Sequence, residues 1–76
     1  MPKLPSDKSG NDVIAALERL GFSFVRQSGS HVVLRRLDPI KNRVAVVPAH
    51  KRLARGTISG ILKQAGIDRD EFLSVI

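Results

Sequence analysis

A histidine stands between a short polar turn and an apolar run in the segment Gln27-Ser28-Gly29-Ser30-His31-Val32-Val33-Leu34. The residues Ser28-Gly29-Ser30 predict a tight turn and the apolar residues after them predict a strand, so we expect His31 near the start of that strand. A side chain there is held by the sheet and remains reachable from solvent. Because histidine is the residue type that ordinarily titrates nearest neutral pH, it can both accept and donate a proton. The alternative is an ordinary half-buried strand residue, which is the commoner role of a single histidine.

A basic segment, His50-Lys51-Arg52 with Arg55 after it, precedes a predicted helix whose expected N-cap is Thr57. Free backbone N–H groups at a helix start can bind a phosphate, and Lys and Arg contribute salt-sensitive phosphate contacts. His50 is as easily a surface loop residue as a second acid, and it is given no role. The residues expected to bind nucleic acid are Arg26, Ser30, Arg35, Lys51, Arg52, Arg55 and Thr57.

The composition favours a polyanionic partner. Thirteen Lys and Arg face seven Asp and Glu, which gives a net charge of +6 on 76 residues. Nucleic acid is the first expectation and an anionic membrane surface the second, although no long basic amphipathic helix supports the membrane. The absence of cysteine excludes disulfides and thiolate zinc sites, and the scattered histidines and acids predict neither a metal nor another cofactor. With no leader-like or membrane-spanning run, the expected location is the cytoplasm.

One histidine has a specific chemistry available on RNA. The ribose 2′-OH is a built-in nucleophile, and a general base that removes its proton allows it to attack the adjacent phosphate without a metal. Basic side chains would stabilise the charge on the phosphate oxygens. Phe22, Phe24 and Phe72 are expected in the core, so the sequence offers no aromatic platform for stacking single-stranded bases.

The elements that must position these residues follow an α-β-β-β-α-α order. Ser9 and Asp12 predict a capping box for a helix over about residues 10–20, which Gly21 ends. Strands are predicted at 22–27, about 30–37 and 43–47, with a turn at Asp38-Pro39 and a stop at Pro48. Short connections make the sheet an antiparallel meander.

Alternation along the second strand decides which way His31 points. Val32 and Leu34 share one face, and His31, Val33 and Arg35 share the other. Burying Arg35 without a partner is unfavourable, so we expect helices over Val32 and Leu34 and solvent over His31.

Two more helices complete the predicted fold. One follows Thr57 and ends at Gly66, and a short one begins after Asp68, where Glu71 completes a second capping box. The fold class is α+β, with a three-stranded antiparallel sheet and helices on one face. Residues 1–8 are expected to form an extended or flexible arm, and residues 9–76 a single domain.

The chain resembles the HicA (YcfA-like) toxins of type II toxin–antitoxin pairs. The resemblance extends over nearly the whole sequence, and its matching segments are Gly21-Phe22, Val25-Arg26-Gln27, Gly29-Ser30-His31, Val46-Val47-Pro48, Gly56-Thr57, Ile61-Leu62-Lys63-Gln64-Ala65-Gly66 and Phe72-Leu73.

This resemblance implies a double-stranded-RNA-binding-domain-like fold and an mRNA interferase, a metal-independent ribonuclease whose catalytic residue corresponds to His31. It also implies a HicB-type antitoxin that masks this histidine, and we expect the free toxin to be monomeric. The main alternative is a non-catalytic double-stranded RNA-binding module, and a third is an interaction protein for an acidic partner.

Overall fold

Three helices and one sheet make up the computed structural model, which describes residues 3–76. The elements are α1 (Gly10–Arg19), β1 (Ser23–Ser28), β2 (His31–Leu37), β3 (Asn42–Pro48), α2 (Arg55–Ala65) and α3 (Arg69–Leu73). The strands form one antiparallel sheet in the order β1-β2-β3. The predicted α+β meander is confirmed, and each strand boundary lies within one residue of its prediction.

The first helix begins where the sequence predicts it. The Asp12 backbone N–H donates to the Ser9 hydroxyl at 3.0 Å, and the Ser9 N–H donates to the Asp12 carboxylate at 3.0 Å. The hydrogen bond from the Ser9 N–H to the carboxylate, and after it the Ser9 hydroxyl, lower the pKa of Asp12. The helix is capped at Leu20, and Gly21 at φ 95° turns the chain towards β1. The predicted capping box and glycine stop are confirmed.

The inner face of the sheet is the one that the helices cover. Val32 and Leu34 are 5% and 0% exposed, and they lie opposite Val47 and Ala45 of β3. The remaining core consists of apolar side chains from the helices and loops, among them Val13, Leu17, Phe22, Leu53, Ile58, Leu62, Ile67 and Phe72. His31 and Arg35 are exposed on the opposite, outer face, as predicted.

The prediction that Phe24 belongs to the core is wrong, because its side chain is 56% exposed. Phe24 lies opposite Leu34 on the inner side of the sheet, but the helices make their main sheet contacts with β3. A β-bulge between Phe24 and Arg26 further distorts β1, and all six residues of this edge strand are exposed. The hydrophobic character of Phe24 led to the prediction of a core position. The helices lie over β3 rather than over β1, so the Phe24 side chain is exposed to solvent.

The N-cap of α2 also differs from the prediction. The cap is Ala54, without a side-chain hydrogen bond, and Thr57 lies inside the first helical turn. The helix begins earlier because Leu53 is anchored just before it: its side chain is 2% exposed and its N–H donates to the Lys8 carbonyl at 2.8 Å. Local cap preference therefore yields to core packing. The predicted end is correct, since Gly66 caps the helix at φ 70°.

Two arginines and one aspartate hold the end of β2 and the start of β3 together. The Arg36 guanidinium donates to the Asp38 carboxylate at 2.9 Å and to the Leu20 carbonyl at 2.8 Å. Arg43 also pairs with Asp38 and donates to the Gly66 carbonyl at 2.7 Å. Hydrogen bonds from Arg36, then Arg43, lower the pKa of Asp38. This network connects the β2–β3 turn to the ends of α1 and α2.

The segment before α1 lies against the domain. Residues 3–8 contain no helix or strand, yet Leu4 is 3% exposed in the core. Residues 1 and 2 of the expected arm lie outside the described residues, and the division into an arm and a domain stays a prediction. None of the helices within residues 3–76 has the length and apolar character needed to cross a bilayer.

Candidate functional site

His31 is the first residue of β2 and is exposed on the outer face of the sheet. Its neighbours across the sheet are Ser28 on β1 and Pro48 on β3. Within residues 3–76 its side chain makes no hydrogen bond or ion pair with another residue. Both imidazole nitrogens can therefore contact a bound molecule.

The turn before His31 is a two-residue hairpin connection. Ser28 and His31 are the pair that closes the hairpin. Of the two central residues, Gly29 has φ 58°, and Ser30 has a negative φ, as does every other non-glycine residue within residues 3–76. A positive φ at the first central residue alone is the pattern of a type II′ turn, which follows the natural twist of a hairpin. The Gln27 side-chain amide donates to the Gly29 carbonyl at 3.0 Å. The turn thus fixes the start of β2, and with it the backbone of His31.

The chain after β3 is tied to the same end of the sheet. The Ala49 N–H donates to the Ser30 carbonyl at 2.6 Å, one residue before His31. The Gly10 N–H at the start of α1 donates to the His50 carbonyl at 2.8 Å. Three segments that are distant in sequence therefore meet beside His31.

Gly10 is needed for this approach because a side chain would not fit. A Cβ atom added to Gly10 would lie 2.9 Å from the carbonyl carbon of Pro48 and 3.0 Å from the Ala49 Cα, and closer still to the Pro48 carbonyl oxygen. All three atoms belong to the backbone and cannot rotate away. Sequence reasoning missed this residue, because its role depends on how α1 approaches β3.

The basic loop over residues 49–54 begins at this anchored backbone. Lys51 and Arg52 are exposed, and they follow His50 directly in the chain. The His50 side chain is exposed as well, while its carbonyl holds Gly10. The loop therefore starts its course from the end of the sheet where His31 lies.

Two further arginines share the outer face with His31. Arg26 lies opposite Val33, two residues along β2 from His31. Arg35 lies four residues along β2, or about 13 Å at the usual rise per residue, and opposite Ser23 and Val44. Both are exposed. The outer face therefore carries a line of positive charge that leads away from the histidine.

Two sets of basic side chains differ in their contacts. Arg19, Arg36, Arg43 and Arg55 donate to backbone carbonyls, and Arg36 and Arg43 also pair with Asp38. Arg26, Arg35, Lys51 and Arg52 have no such partner within residues 3–76. Within this second set, Arg26 and Arg35 lie on the outer face, and Lys51 and Arg52 lie in the exposed loop after β3.

Arg55 and Thr57 are placed differently from their predictions. Arg55 is the first residue of α2 rather than a loop residue, and its Nε donates to the Leu4 carbonyl at 2.8 Å. Thr57 is exposed in the same helical turn but does not cap it. The free N–H groups of the α2 start lie earlier in the chain than expected. Arg55 connects this helix to the N-terminal segment and stays exposed.

The site is an open surface rather than a closed pocket. Two depressions of the protein surface are lined by other residues, one near Leu4 and Ile67 and one near Pro39 and Ile40, and His31 borders neither. Among residues 3–76 no group of three or more His, Asp or Glu side chains is arranged to hold a metal ion. An accessible surface of this kind can receive a long flexible chain across its outer face.

A comparison with protein families finds a match over most of the chain. The family model described as HicA toxin of bacterial toxin-antitoxin matches residues 10–67. This span includes α1, the whole sheet, the basic loop and α2. A search of curated proteins finds no match to the chain.

Proposed function

The chain belongs to the HicA toxin family of bacterial toxin–antitoxin systems, and we propose that it is an endoribonuclease that cleaves mRNA with His31 as general acid and base. The observation that carries the proposal is the position of His31: exposed, unpaired within the described residues, and at one end of a basic outer face. Its natural site of action is the cytoplasm, and its natural regulator is a HicB-type antitoxin.

The proposed reaction uses the substrate's own nucleophile. His31 removes the proton of a ribose 2′-OH, and the 2′-oxygen attacks the adjacent phosphorus while the bond to the 5′-oxygen breaks. The protonated imidazole then supplies a proton to the leaving 5′-oxygen. The products are a 2′,3′-cyclic phosphate and a 5′-OH end, and no metal or other cofactor takes part in this scheme.

The unpaired cations would hold the RNA backbone. Lys51 and Arg52 lie in the loop whose first residue, Ala49, is bonded to Ser30, and Arg26 and Arg35 extend the contact along the sheet. Ser30, Arg55 and Thr57 are proposed as weaker contacts. Ser30 supplies a hydroxyl from the turn, Arg55 supplies a guanidinium that also binds the Leu4 carbonyl, and Thr57 lies in the first turn of α2. Positive groups around the scissile phosphate also stabilise its developing charge.

The test compares the wild-type chain with His31→Ala on a defined RNA and on the same RNA with single 2′-deoxy substitutions. We expect His31→Ala to bind the RNA but to cleave it about 10²–10⁴-fold more slowly. A 2′-deoxy group at the cleaved position should block the wild-type chain there. Cleavage that persists in both cases contradicts the proposed chemistry.

The same experiment decides the alternative function. A basic outer face on an α-β-β-β-α fold also suits a double-stranded RNA-binding module that does not cut. Such a module would bind duplex RNA and leave it intact whether residue 31 is His or Ala. Growth arrest and mRNA loss in a bacterial host, present for the wild-type chain and absent for His31→Ala, would support the toxin.

A further inference from the structure

Strand β1 is an open edge of the sheet, in contrast to β3. Among residues 3–76, the order β1-β2-β3 gives β1 a strand neighbour on one side and none on the other, and all six residues of β1 are exposed. The other edge is covered, since α2 packs against β3 and the Val46 N–H donates to the Gln64 side chain at 3.0 Å. Helix α2 therefore protects one edge of the sheet, and the opposite edge can accept another strand.

The edge of β1 is protected against pairing only in part. Its residues Ser23–Ser28 include no proline and no lysine, and its protection consists of the Arg26 charge and the bulge between Phe24 and Arg26. Phe24 and Val25 are 56% and 45% exposed there, and the bulge between Phe24 and Arg26 is the irregularity in the β1–β2 register. Adjacent exposed apolar side chains on an unpaired edge are typical of a partner-binding surface.

Charge selects the kind of partner. The sequence contains no Asp or Glu between Glu18 and Asp38, a stretch that includes all of β1 and β2. The same stretch carries Arg26 and Arg35 on the outer face. A second copy of this chain would bring like charges together across an antiparallel pairing, whereas an acidic segment would be attracted.

We propose that an extended segment of the antitoxin, acidic and partly apolar, adds to β1 as a fourth antiparallel or parallel strand of the sheet. This inference rests on the proposed function, because the partner is the antitoxin of that system. Main-chain hydrogen bonds supply part of the affinity, and Phe24 and Val25 supply apolar contacts.

This position brings the partner close to His31. Ser28 at the end of β1 lies directly opposite His31, so an added strand would lie about 10 Å from β2, two strand spacings away. The chain leaving that strand at the Gly29 turn would be next to the histidine. Strand addition at β1 would thus hold the antitoxin in a position from which its next residues can cover the proposed catalytic residue, His31.

The first test removes one backbone donor from the edge. Because Ser28 and His31 close a two-residue hairpin as a hydrogen-bonded pair, the next residue, Gln27, directs its N–H away from β2. Gln27→Pro removes this backbone donor, whereas Gln27→Ala keeps it. Both variants lose the hydrogen bond from the Gln27 side chain to the Gly29 carbonyl, so they differ in the backbone N–H. A proline is tolerated by an edge strand at such a position.

The experiment uses the full chain and the antitoxin encoded beside its gene, with affinity measured by calorimetry and β1 amides followed by hydrogen exchange. We expect Gln27→Pro to bind the antitoxin about tenfold more weakly than Gln27→Ala, as for the removal of one hydrogen bond. We expect Phe24→Ser to weaken binding and the control Ile40→Ser, in the β2–β3 loop, to leave it unchanged. The β1 amides should become protected in the wild-type complex.

The outcomes separate this inference from the proposed function. If the antitoxin binds and suppresses RNA cleavage while β1 amides stay unprotected and both variants bind normally, strand addition is wrong and the toxin function stands. If the isolated chain does not cleave RNA, the proposed function fails on its own assay. Protection of the β1 amides in the isolated chain at high concentration would assign the edge to a second copy of the chain. Protection of the same amides by RNA alone would assign the edge to RNA, and either result would overturn the inference.

Discussion

The backbone N–H of Gly10 donates to the carbonyl of His50 across 2.8 Å, joining the start of α1 to the loop that follows β3. The next residue back in that loop, Ala49, is bonded to Ser30, the neighbour of His31. A helix start, a loop and a hairpin turn are therefore held together by backbone groups, and side chains on that backbone share a fixed frame.

Substituting Gly10 should disturb that frame. We expect Gly10→Ala to lower the free energy of unfolding by about 1–3 kcal/mol, because the added methyl group meets backbone atoms of Pro48 and Ala49. RNA cleavage should fall by up to about a hundredfold, since small misplacements at a reacting centre have large effects. Chemical denaturation and cleavage rates measure the two effects.

The matched control for this substitution is Gly60→Ala in α2. A Cβ atom at Gly60 meets nothing within 4 Å, and alanine favours a helix by about 1 kcal/mol over glycine. Gly60→Ala should therefore raise stability and leave cleavage unchanged. Equal stability for the two variants would refute the close-approach argument.

Gly29 should be hard to replace for a conformational reason. Its φ of 58° disfavours residues with a Cβ, although there is open space around it. We expect Gly29→Ala to destabilise the chain by about 1–2 kcal/mol and to slow cleavage, because this turn places His31. Gly56→Ala, where φ is helical and the space is also open, should not destabilise it, and thermal unfolding compares them.

Lys51 and Arg52 should contribute to RNA affinity by neutralising phosphates. Replacing both with alanine should weaken binding, and it should reduce the slope of log K against log salt by about 0.7 for each phosphate of single-stranded RNA that is no longer neutralised. Lys63→Ala is the control, because Lys63 lies in the last turn of α2, at the end away from the basic loop. An unchanged slope for the double variant would remove these residues from the interface.

The pairing of Asp38 with Arg36 and Arg43 should make stability depend on acidic pH. Because the folded-state pKa of Asp38 is lowered, its stabilising contribution is present above the ordinary aspartate pKa of about 4 and is lost as the pH falls through the lowered value. Asp38→Asn should be less stable than the wild type near neutral pH. The difference should shrink steadily below about pH 4.

Urea denaturation over a pH series measures this effect, with Asp7→Asn as the control. Asp7 is exposed before α1 and forms no ion pair within the described residues. A wild-type advantage over Asp38→Asn that does not change with pH would show that the ion pairs are not its source.

Local signals in the sequence were sufficient to predict the order of elements and the side of the sheet on which His31 lies. These signals are Ser9 with Asp12, the helix-ending glycines Gly21 and Gly66, and the period-two pattern around Val32 and Leu34. Each depends on neighbours within a few residues, so the chain carries it without reference to the rest of the fold. The same local information placed a histidine beside a turn and a basic segment after a strand.

Tertiary packing determined which of the predicted residues have partners and which surfaces remain open. Arg55 contacts Leu4, Thr57 is not a cap, and Phe24 is exposed because the helices lie over β3 and leave β1 uncovered. Gly10 matters only because α1 starts against the backbone after β3. These facts depend on how distant elements pack together, and a local pattern of residue types cannot encode the lateral position of one layer over another.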